Sequence, residues 1–366
     1  MRVLSSSDPP SSACTLPAAL GPATQLTCMS LVNGQLQIDS TESMRYFTGN
    51  DANPSPALKK NVRDGLKAFL RRPLKDKAFK GGRLDNVFAM CVGAQRSAEM
   101  LEADVVTWRG ILTKIMMRAD LSLAVSYFDG TLYLEEDSTQ TRFDVNLEGN
   151  YTGSVILRKL TTKWFKATSR HKFETLSSRP STGGTMADDV DMHTLWAVGI
   201  KRRLGTLDIV LVGEVDCVDA QYSPAEPSPS HYVELKTRKF ESPQLRNLAR
   251  WDIQSGLIDC PRIFVGFPDR AGVVRETRNL PVFPIPQDKL DWCARVLHAL
   301  IDLCAAEHGD RTGGINVWQV RMKDGEVHAN LMSDRQVARM NADGPRKNGI
   351  LPMTFLAALA KSKGMA

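Results

Sequence analysis

The alternation of hydrophobic and polar residues in this chain predicts strands more often than helices. The clearest strand covers residues 207–218 (LDIVLVGEVDCV), which is apolar at both alternating sets of positions. A strand with two apolar faces is typical of the interior of a sheet, because both of its sides are covered. Two hairpins are predicted where an Asp-Gly turn separates apolar runs, joining 121–127 to 131–136 and 316–322 to 326–332. We therefore expect a sheet-rich fold with 207–218 as a central strand.

Helical spacing is clearest over residues 286–307, where apolar side chains recur on one face. A second helix is expected to begin at Ser242-Pro243, a favourable pair for a first turn, and to end near Leu257. Residues 104–116 (DVVTWRGILTKIM) predict an extended and mostly buried segment. These elements alternate without an internal repeat.

The first 28 residues are rich in Ser, Pro and Ala, and this composition predicts a disordered tail. No later linker is long enough to require a second domain, so residues 29–366 are expected to form one domain. No run of 18 apolar residues occurs, which argues against a transmembrane span, and the N-terminus lacks the features of a signal peptide. The seven scattered cysteines form no CxxC pair, so a reducing compartment is expected, either the nucleus or the cytoplasm.

Two charged quartets carry the most informative chemistry. Glu214 and Asp216 lie in GEVD, and Glu234 and Lys236 lie in VELK. In a strand, residues two apart share a face and are about 6.6 Å apart, so each pair is expected to point one way. Carboxylates this close inside a sheet need compensation, and a divalent cation is the usual one. The arrangement predicts a metal-dependent phosphodiesterase, whereas the alternative is two strands that expose charges on a solvated face.

Three further residues are weaker candidates. Arg109 interrupts an apolar stretch, and an arginine inside a sheet region needs a phosphate or a carboxylate as its partner. Glu174 adds a carboxylate, and Gln254 lies on the helix after VELK, although both also suit a plain surface position. Motifs of other classes are missing: the sequence has no Walker-type loop, no GxGxxG, no GxSxG and no HExxH. The net charge of +6 is compatible with a polyanionic ligand without requiring one.

In their order and spacing, these segments resemble the DXO family of decapping exonucleases, which includes the fungal partner of the nuclear 5′→3′ exoribonuclease. The resembling segments are TWRGILTKIM, HKFE, LVGEVDCVDA, YVELKTRKF and RWDIQSGLIDCPRIFVGF. The resemblance implies an α+β fold in which helices flank a mixed central sheet, similar to the PD-(D/E)xK nuclease core. It also implies Mg²⁺, with Mn²⁺ as a substitute, and two ions in the site.

The resemblance assigns metal ligands by position. Glu174, Asp216 and Glu234, together with the Leu235 carbonyl, would hold one ion, and Glu214 would share Asp216 to hold a second. The family usually has a glycine shortly before the glutamate that corresponds to Glu174. Here Ser169-Arg170 occupy that stretch, which leaves the preferred substrate open.

The resemblance also implies catalytic and substrate-binding roles. Asp216, Glu234 and Lys236 would carry catalysis, while Arg109, Lys236 and Gln254 would bind the RNA. The hypothesis is a hydrolase that removes incomplete or NAD-type caps, or pyrophosphate, from RNA 5′ ends, with or without trimming of the strand. Two alternatives stay open: a non-catalytic partner that stabilises a 5′→3′ exoribonuclease, and a nuclease directed at DNA.

Overall fold

The computed structural model describes residues 1–8, 12, 14–48, 61–62, 83–137, 173–174, 177–180, 194–238, 248–306, 314–342 and 346–362. The strands of these ranges are β1 (Arg2–Ser5), β2 (Thr24–Val32), β3 (Gln35–Ile38), β4 (Arg45–Phe47), β5 (Val105–Trp108), β6 (Leu121–Phe128), β7 (Thr131–Glu136), β8 (Ser178–Pro180), β9 (Leu195–Leu204), β10 (Leu207–Glu214), β11 (Cys217–Val218), β12 (Tyr232–Thr237), β13 (Arg262–Pro268), β14 (Val274–Pro281), β15 (Trp318–Lys323), β16 (Glu326–Leu331), β17 (Lys347–Asn348) and β18 (Leu351–Pro352). The α-helices are α1 (Asp85–Gly93), α2 (Ser97–Leu101), α3 (Arg109–Met116), α4 (Leu248–Leu257), α5 (Gln287–Ala306), α6 (Asp334–Met340) and α7 (Met353–Ser362).

Two mixed sheets carry the fold. The first has the order β1-β16-β15-β6-β7-β5-β10-β9-β2-β3, and the second has the order β14-β13-β12-β11-β4-β8. In the first sheet β5 runs parallel to both β10 and β7, and in the second β12 runs parallel to β13. The mixed sheets flanked by helices confirm the predicted fold class.

Strand β10 lies in the interior of the ten-stranded sheet, as its doubly apolar pattern predicts. Ile209 and Leu211 pack into a core on one face, which includes residues of α5. Val210 and Val212 pack into a second core on the opposite face, which includes residues of α1 and α7. Apolar side chains on both faces are the expected signature of a strand that is covered on both sides.

The predicted strand 207–218 is divided between the two sheets. Strand β10 ends at Glu214, and the next strand, β11, begins at Cys217 in the second sheet. Cys217 lies opposite Val233 of β12, so the GEVD segment passes directly from one sheet to the other. Glu214 and Asp216 therefore flank a crossing between sheets, and they do not lie on one continuous strand.

The expectation of an extended segment over 104–116 is wrong in its second half. β5 ends at Trp108, and α3 begins at Arg109. The β-branched residues Val105, Val106 and Thr107 favour the strand, whereas Ile111, Leu112, Ile115 and Met116 recur with helical spacing and are buried. α3 packs against α4 and α5.

The expectation of a disordered tail over residues 1–28 is also wrong where this segment is described. β1 pairs with β16, and Leu4 is buried in the core. β2 begins at Thr24 and pairs with β9. Leu4, Ala18 and Leu26 are buried in the hydrophobic cores. The favourable free energy of burying these side chains outweighs the tendency to disorder that the Ser and Pro content predicts. The predicted helix start at Ser242-Pro243 lies outside the described residues, although α4 ends at Leu257 as expected.

Candidate active site

Glu234 is the most enclosed acid of the predicted site, with 2% of its surface exposed. It lies in the middle of β12, between β11 and β13. Arg109 Nη1 donates to Glu234 Oε2 at 3.3 Å, and Lys236 Nζ contacts Glu234 Oε1. A buried carboxylate needs such partners, because its desolvation would otherwise be very costly. The structure thus brings together Arg109, Glu234 and Lys236 as the sequence predicts.

Asp216 lies next to this group through the backbone of β12. The Leu235 N–H donates to Asp216 Oδ2 at 2.7 Å, in a buried environment. This hydrogen bond connects the GEVD and VELK segments, which adjoin because Cys217 pairs with Val233. Glu214 ends β10 one residue before the crossing and is half-buried. The two quartets therefore meet at the junction between the sheets.

Arg109 reaches the junction because β5 and β10 run parallel. Trp108 is paired with Val212, so the first residue of α3 follows at the level of Gly213. A Cβ atom on Gly213 would lie 3.1 Å from Arg109 Cδ and 3.2 Å from Ile258 Cγ2. Glycine at this position gives the arginine side chain room beside the strand, a requirement that sequence reasoning missed.

Glu174 lies on a short segment that the buried side chain of its neighbour Phe173 anchors in the core. Phe173 stacks on Phe264 with ring centroids 5.9 Å apart and occupies the space where Gly266 has no side chain. Glu174 itself is buried, and its backbone carbonyl accepts a hydrogen bond from Ser178 Oγ at 2.6 Å. Gln254 lies half-buried on α4, which packs against the helix that begins at Arg109. Ser169-Arg170 lie outside the described residues.

Two buried thiols, those of Cys217 and Cys260, lie close enough to the acids of the site for their pKa values to be affected. Burial, followed by the charges of Asp216 and Glu174, raises the pKa of Cys217 well above its usual range. Burial and the charge of Glu234 raise the pKa of Cys260 to about 12, against the opposing effect of Arg109. Both thiols therefore stay protonated at neutral pH, so neither is a thiolate nucleophile.

Arg45 is a further charged residue that sequence reasoning missed. It lies on β4, and burial lowers the pKa of its guanidinium, while Cys217 and Glu174 act in the opposite direction. No spacing pattern connects an arginine at position 45 with an acid at position 174. The only signal was the placement of a charge in a short apolar strand.

The acids suit a divalent cation in charge and donor chemistry. Glu174, Glu214, Asp216 and Glu234 carry more negative charge than Arg45, Arg109 and Lys236 offset, and carboxylate oxygens are the ligands that Mg²⁺ and Mn²⁺ prefer. Within the described ranges, however, no three His, Cys, Asp or Glu side chains are arranged to bind one metal ion. The two carboxylate oxygens of Glu234 contact Lys236 and Arg109.

This site can be compared with known proteins. A family model described as RAI1 like PD-(D/E)XK nuclease matches residues 22–356. The chain belongs to this family. The resemblance to decapping exonucleases is thereby confirmed, and this RAI1-like chain is an enzyme of the nuclease class that acts on RNA.

Relatives of the RAI1-like chain carry names that agree with this assignment. The human decapping and exoribonuclease protein is 29% identical over 303 residues, which cover 77% of this chain and 72% of the relative. The decapping nuclease RAI1 of Gibberella zeae is 25% identical over 324 residues, which cover 79% of this chain and 80% of the relative.

Solved structures of low identity share the fold. Rai1 of Scheffersomyces stipitis, in complex with (3′-NADP)⁺ and calcium ion, superposes with a TM-score of 0.75 at 18% identity, over 99% of this chain and 100% of that one. Rai1 of Candida albicans, in complex with pU5-Mn²⁺, gives a TM-score of 0.73 at 16% identity, over 99% and 98%. In the described part of this RAI1-like chain, no helix combines the length and hydrophobicity needed to cross a membrane.

Proposed function

We propose that this protein is a divalent-metal-dependent hydrolase that removes incomplete or NAD-type caps, or pyrophosphate, from RNA 5′ ends, and that it also degrades the exposed strand in the 5′→3′ direction. The proposal rests on the contacts of the buried Glu234 with Arg109 and Lys236. In addition, the N–H of Leu235, the next residue of β12, donates a hydrogen bond to Asp216. Family membership and the ligands named for related Rai1 structures support it.

The metal ligands follow from the acids of the junction. Glu174, Asp216, Glu234 and the Leu235 carbonyl would hold one ion, and Glu214 with Asp216 would hold a second. When bound, Mg²⁺ or Mn²⁺ would supply Lewis-acid stabilisation of the charge that develops on the phosphoryl group.

Arg109 and Lys236 would bind the substrate phosphate. Both donate to one carboxylate, and a phosphate oxygen has the same sign of charge and accepts the same hydrogen bonds. A phosphate that enters the junction can therefore take over these donors from Glu234. Lys236, which lies on β12, would also orient the attacking water or neutralise charge on the phosphoryl oxygens. Gln254, half-buried on α4, would contact the nucleotide.

The proposal is tested with one RNA sequence prepared with triphosphate, monophosphate, unmethylated-cap and NAD 5′ ends, and with a DNA strand of the same sequence. The expected result is hydrolysis of RNA with Mg²⁺ or Mn²⁺ that stops on addition of a chelator and is lost in Glu234→Gln. Release of an intact cap dinucleotide indicates decapping, whereas mononucleotides indicate exonuclease activity. Folded protein that hydrolyses no RNA, yet raises the activity of an added 5′→3′ exoribonuclease, would replace the proposal with the stabilising-partner role.

The proposed site of action is the nucleus, with the cytoplasm as second choice. The state of the cysteines supports both of these locations over an oxidising one, since all seven are buried and free of disulfide bonds. Such a pattern suits a reducing compartment. Imaging of the full chain with a fluorescent tag, compared with nuclear and cytoplasmic markers, tests this location.

A further inference from the structure

Arg45 forms two hydrogen bonds to a single serine on the neighbouring strand. Its Nε donates to Ser178 Oγ at 2.6 Å, and its Nη2 donates to the Ser178 carbonyl at 2.9 Å. β4 and β8 are antiparallel, with Arg45 opposite Pro180 and Phe47 opposite Ser178. The guanidinium thus spans the strand pair diagonally and fixes both the side chain and the backbone of Ser178.

Ser178 passes this constraint on to Glu174. The Ser178 hydroxyl accepts a hydrogen bond from Arg45 and donates one to the Glu174 carbonyl at 2.6 Å. The hydroxyl therefore connects Arg45 directly to the backbone of Glu174. Ser178 is completely buried, so bulk solvent does not reach the hydroxyl. A continuous chain of hydrogen bonds therefore runs from β4 to the backbone of the residue that is expected to bind metal.

The charge of Arg45 acts in the same place. Its guanidinium is half-buried and interacts electrostatically with Glu174. β4 pairs in parallel with β11, which brings Arg45 next to the crossing segment. Partial desolvation of an arginine is costly unless the guanidinium is used for hydrogen bonding and charge compensation.

We propose that Arg45 and Ser178 form a positioning clamp that holds Glu174 in the orientation required for metal binding. The proposal rests on the proposed function, because that function assigns Glu174 as a ligand. Residues that orient metal ligands from outside the coordination sphere typically change metal affinity or activity by about 10–100-fold when they are replaced. The alternative is that Arg45 only stabilises the pairing of β4 with β8.

The chain offers a matched control on the same strand pair. Arg179 is exposed, and its guanidinium lies over the Tyr46 ring at 5.9 Å. Arg179→Met removes a positive charge from the β4–β8 pair without touching the hydrogen bonds to Ser178. Arg45→Met removes the clamp cation, and Ser178→Ala removes only the bridging hydroxyl.

The experiment measures binding of Mn²⁺ alone by isothermal titration, well below the unfolding temperature of each variant, followed by kcat at rising Mn²⁺. A positioning role predicts about 10–100-fold weaker Mn²⁺ binding in Arg45→Met and Ser178→Ala, with kcat recovering at saturating Mn²⁺. Arg179→Met should bind Mn²⁺ as the parent does. If Arg45→Met does not fold, Ser178→Ala decides the question, because it removes one hydroxyl.

Unchanged Mn²⁺ affinity in Ser178→Ala or in folded Arg45→Met would overturn the clamp, even if both variants lost stability. A parent protein that binds no Mn²⁺ would overturn it as well. If the parent binds Mn²⁺ and the two clamp variants bind it more weakly, but the parent hydrolyses none of the RNAs, only the proposed function is overturned. A parent that hydrolyses RNA while both variants bind Mn²⁺ normally would defeat the clamp alone.

Discussion

Arg109 donates a hydrogen bond to Glu234 at 3.3 Å, although 125 positions separate the two residues in the chain. Arg109 begins α3 at the end of a strand of the first sheet, and Glu234 lies in a strand of the second. Because Lys236 contacts the other carboxylate oxygen, Glu234 is shared by two cations. This arrangement keeps both phosphate-binding candidates in place before a substrate arrives.

Arg109→Ala should weaken RNA binding to a similar degree across unrelated sequences, because contacts to phosphate carry no base information. The plot of log affinity against log salt concentration has a negative slope, and the magnitude of this slope should decrease by about one. Fluorescence anisotropy with several labelled RNAs at graded salt measures both quantities. Arg203→Ala is the control, since Arg203 is exposed and pairs with Asp208 on the first sheet. A loss confined to one RNA sequence would contradict a phosphate role.

Asp216 has a structural and a chemical task, and two variants separate them. Asp216→Ala leaves the buried Leu235 N–H without its acceptor and should lower the free energy of unfolding by about 1–3 kcal/mol. Asp216→Asn keeps an oxygen for this N–H and should lose much less stability. Both variants should lose hydrolysis, because both lose the charge that binds the cation. Urea unfolding in the presence of a chelator gives the stabilities, and parent-level activity in either variant would exclude Asp216 as a ligand.

Lys236→Met should keep metal binding while turnover falls by roughly 10²-fold or more, the scale of losing one electrostatic or acid–base group. Glu234 retains Arg109 in this variant, so the fold should survive. Single-turnover rates at saturating Mn²⁺, measured beside Mn²⁺ affinity, separate the two effects. Turnover equal to that of the parent would mean that Lys236 serves only to neutralise Glu234.

Gly213→Ala should destabilise the protein by about 1–3 kcal/mol, because the added Cβ would crowd Arg109 Cδ and Ile258 Cγ2. It should also weaken RNA binding through displacement of Arg109. Gly110→Ala is the matched control, since the residue is helical and the added Cβ has no atom within 4 Å apart from its chain neighbours and the backbone of its own helix. That substitution should be neutral or stabilise by about 0.5–1 kcal/mol. Equal effects of the two substitutions in thermal unfolding would count against the crowding argument.

Local pattern was sufficient for many of the elements. The hairpin of β6 and β7 has Asp129 and Gly130 with positive φ values of 54° and 86°, as its Asp-Gly turn predicts. The long α5 appears at Gln287–Ala306, close to the predicted bounds, because its apolar face repeats with helical spacing. In both cases the signal lies within a few neighbouring residues.

The parts that pattern could not predict depend on distant neighbours. The end of β5 at Trp108 and the crossing after Glu214 depend on which strands lie beside them, and no short window contains that information. The same holds for Arg45, whose partner Ser178 is 133 positions away. Glu214, Asp216, Glu234 and Lys236 were recognisable because each pair is local, whereas their meeting depends on the pairing of Cys217 with Val233.

The crossing at Val215-Asp216 has a consequence for the order of folding. Arg109 directly follows a strand of the first sheet and Glu214 ends another, while Glu234 and Lys236 lie in the second sheet, so neither sheet alone contains a complete site. Contacts between such distant residues form late, since the entropy of closing long loops must be overcome first. We therefore expect RNA-hydrolysing activity to return in the slowest phase of refolding, after most of the secondary structure. A partly folded chain would then have no nuclease activity, even with both sheets already formed.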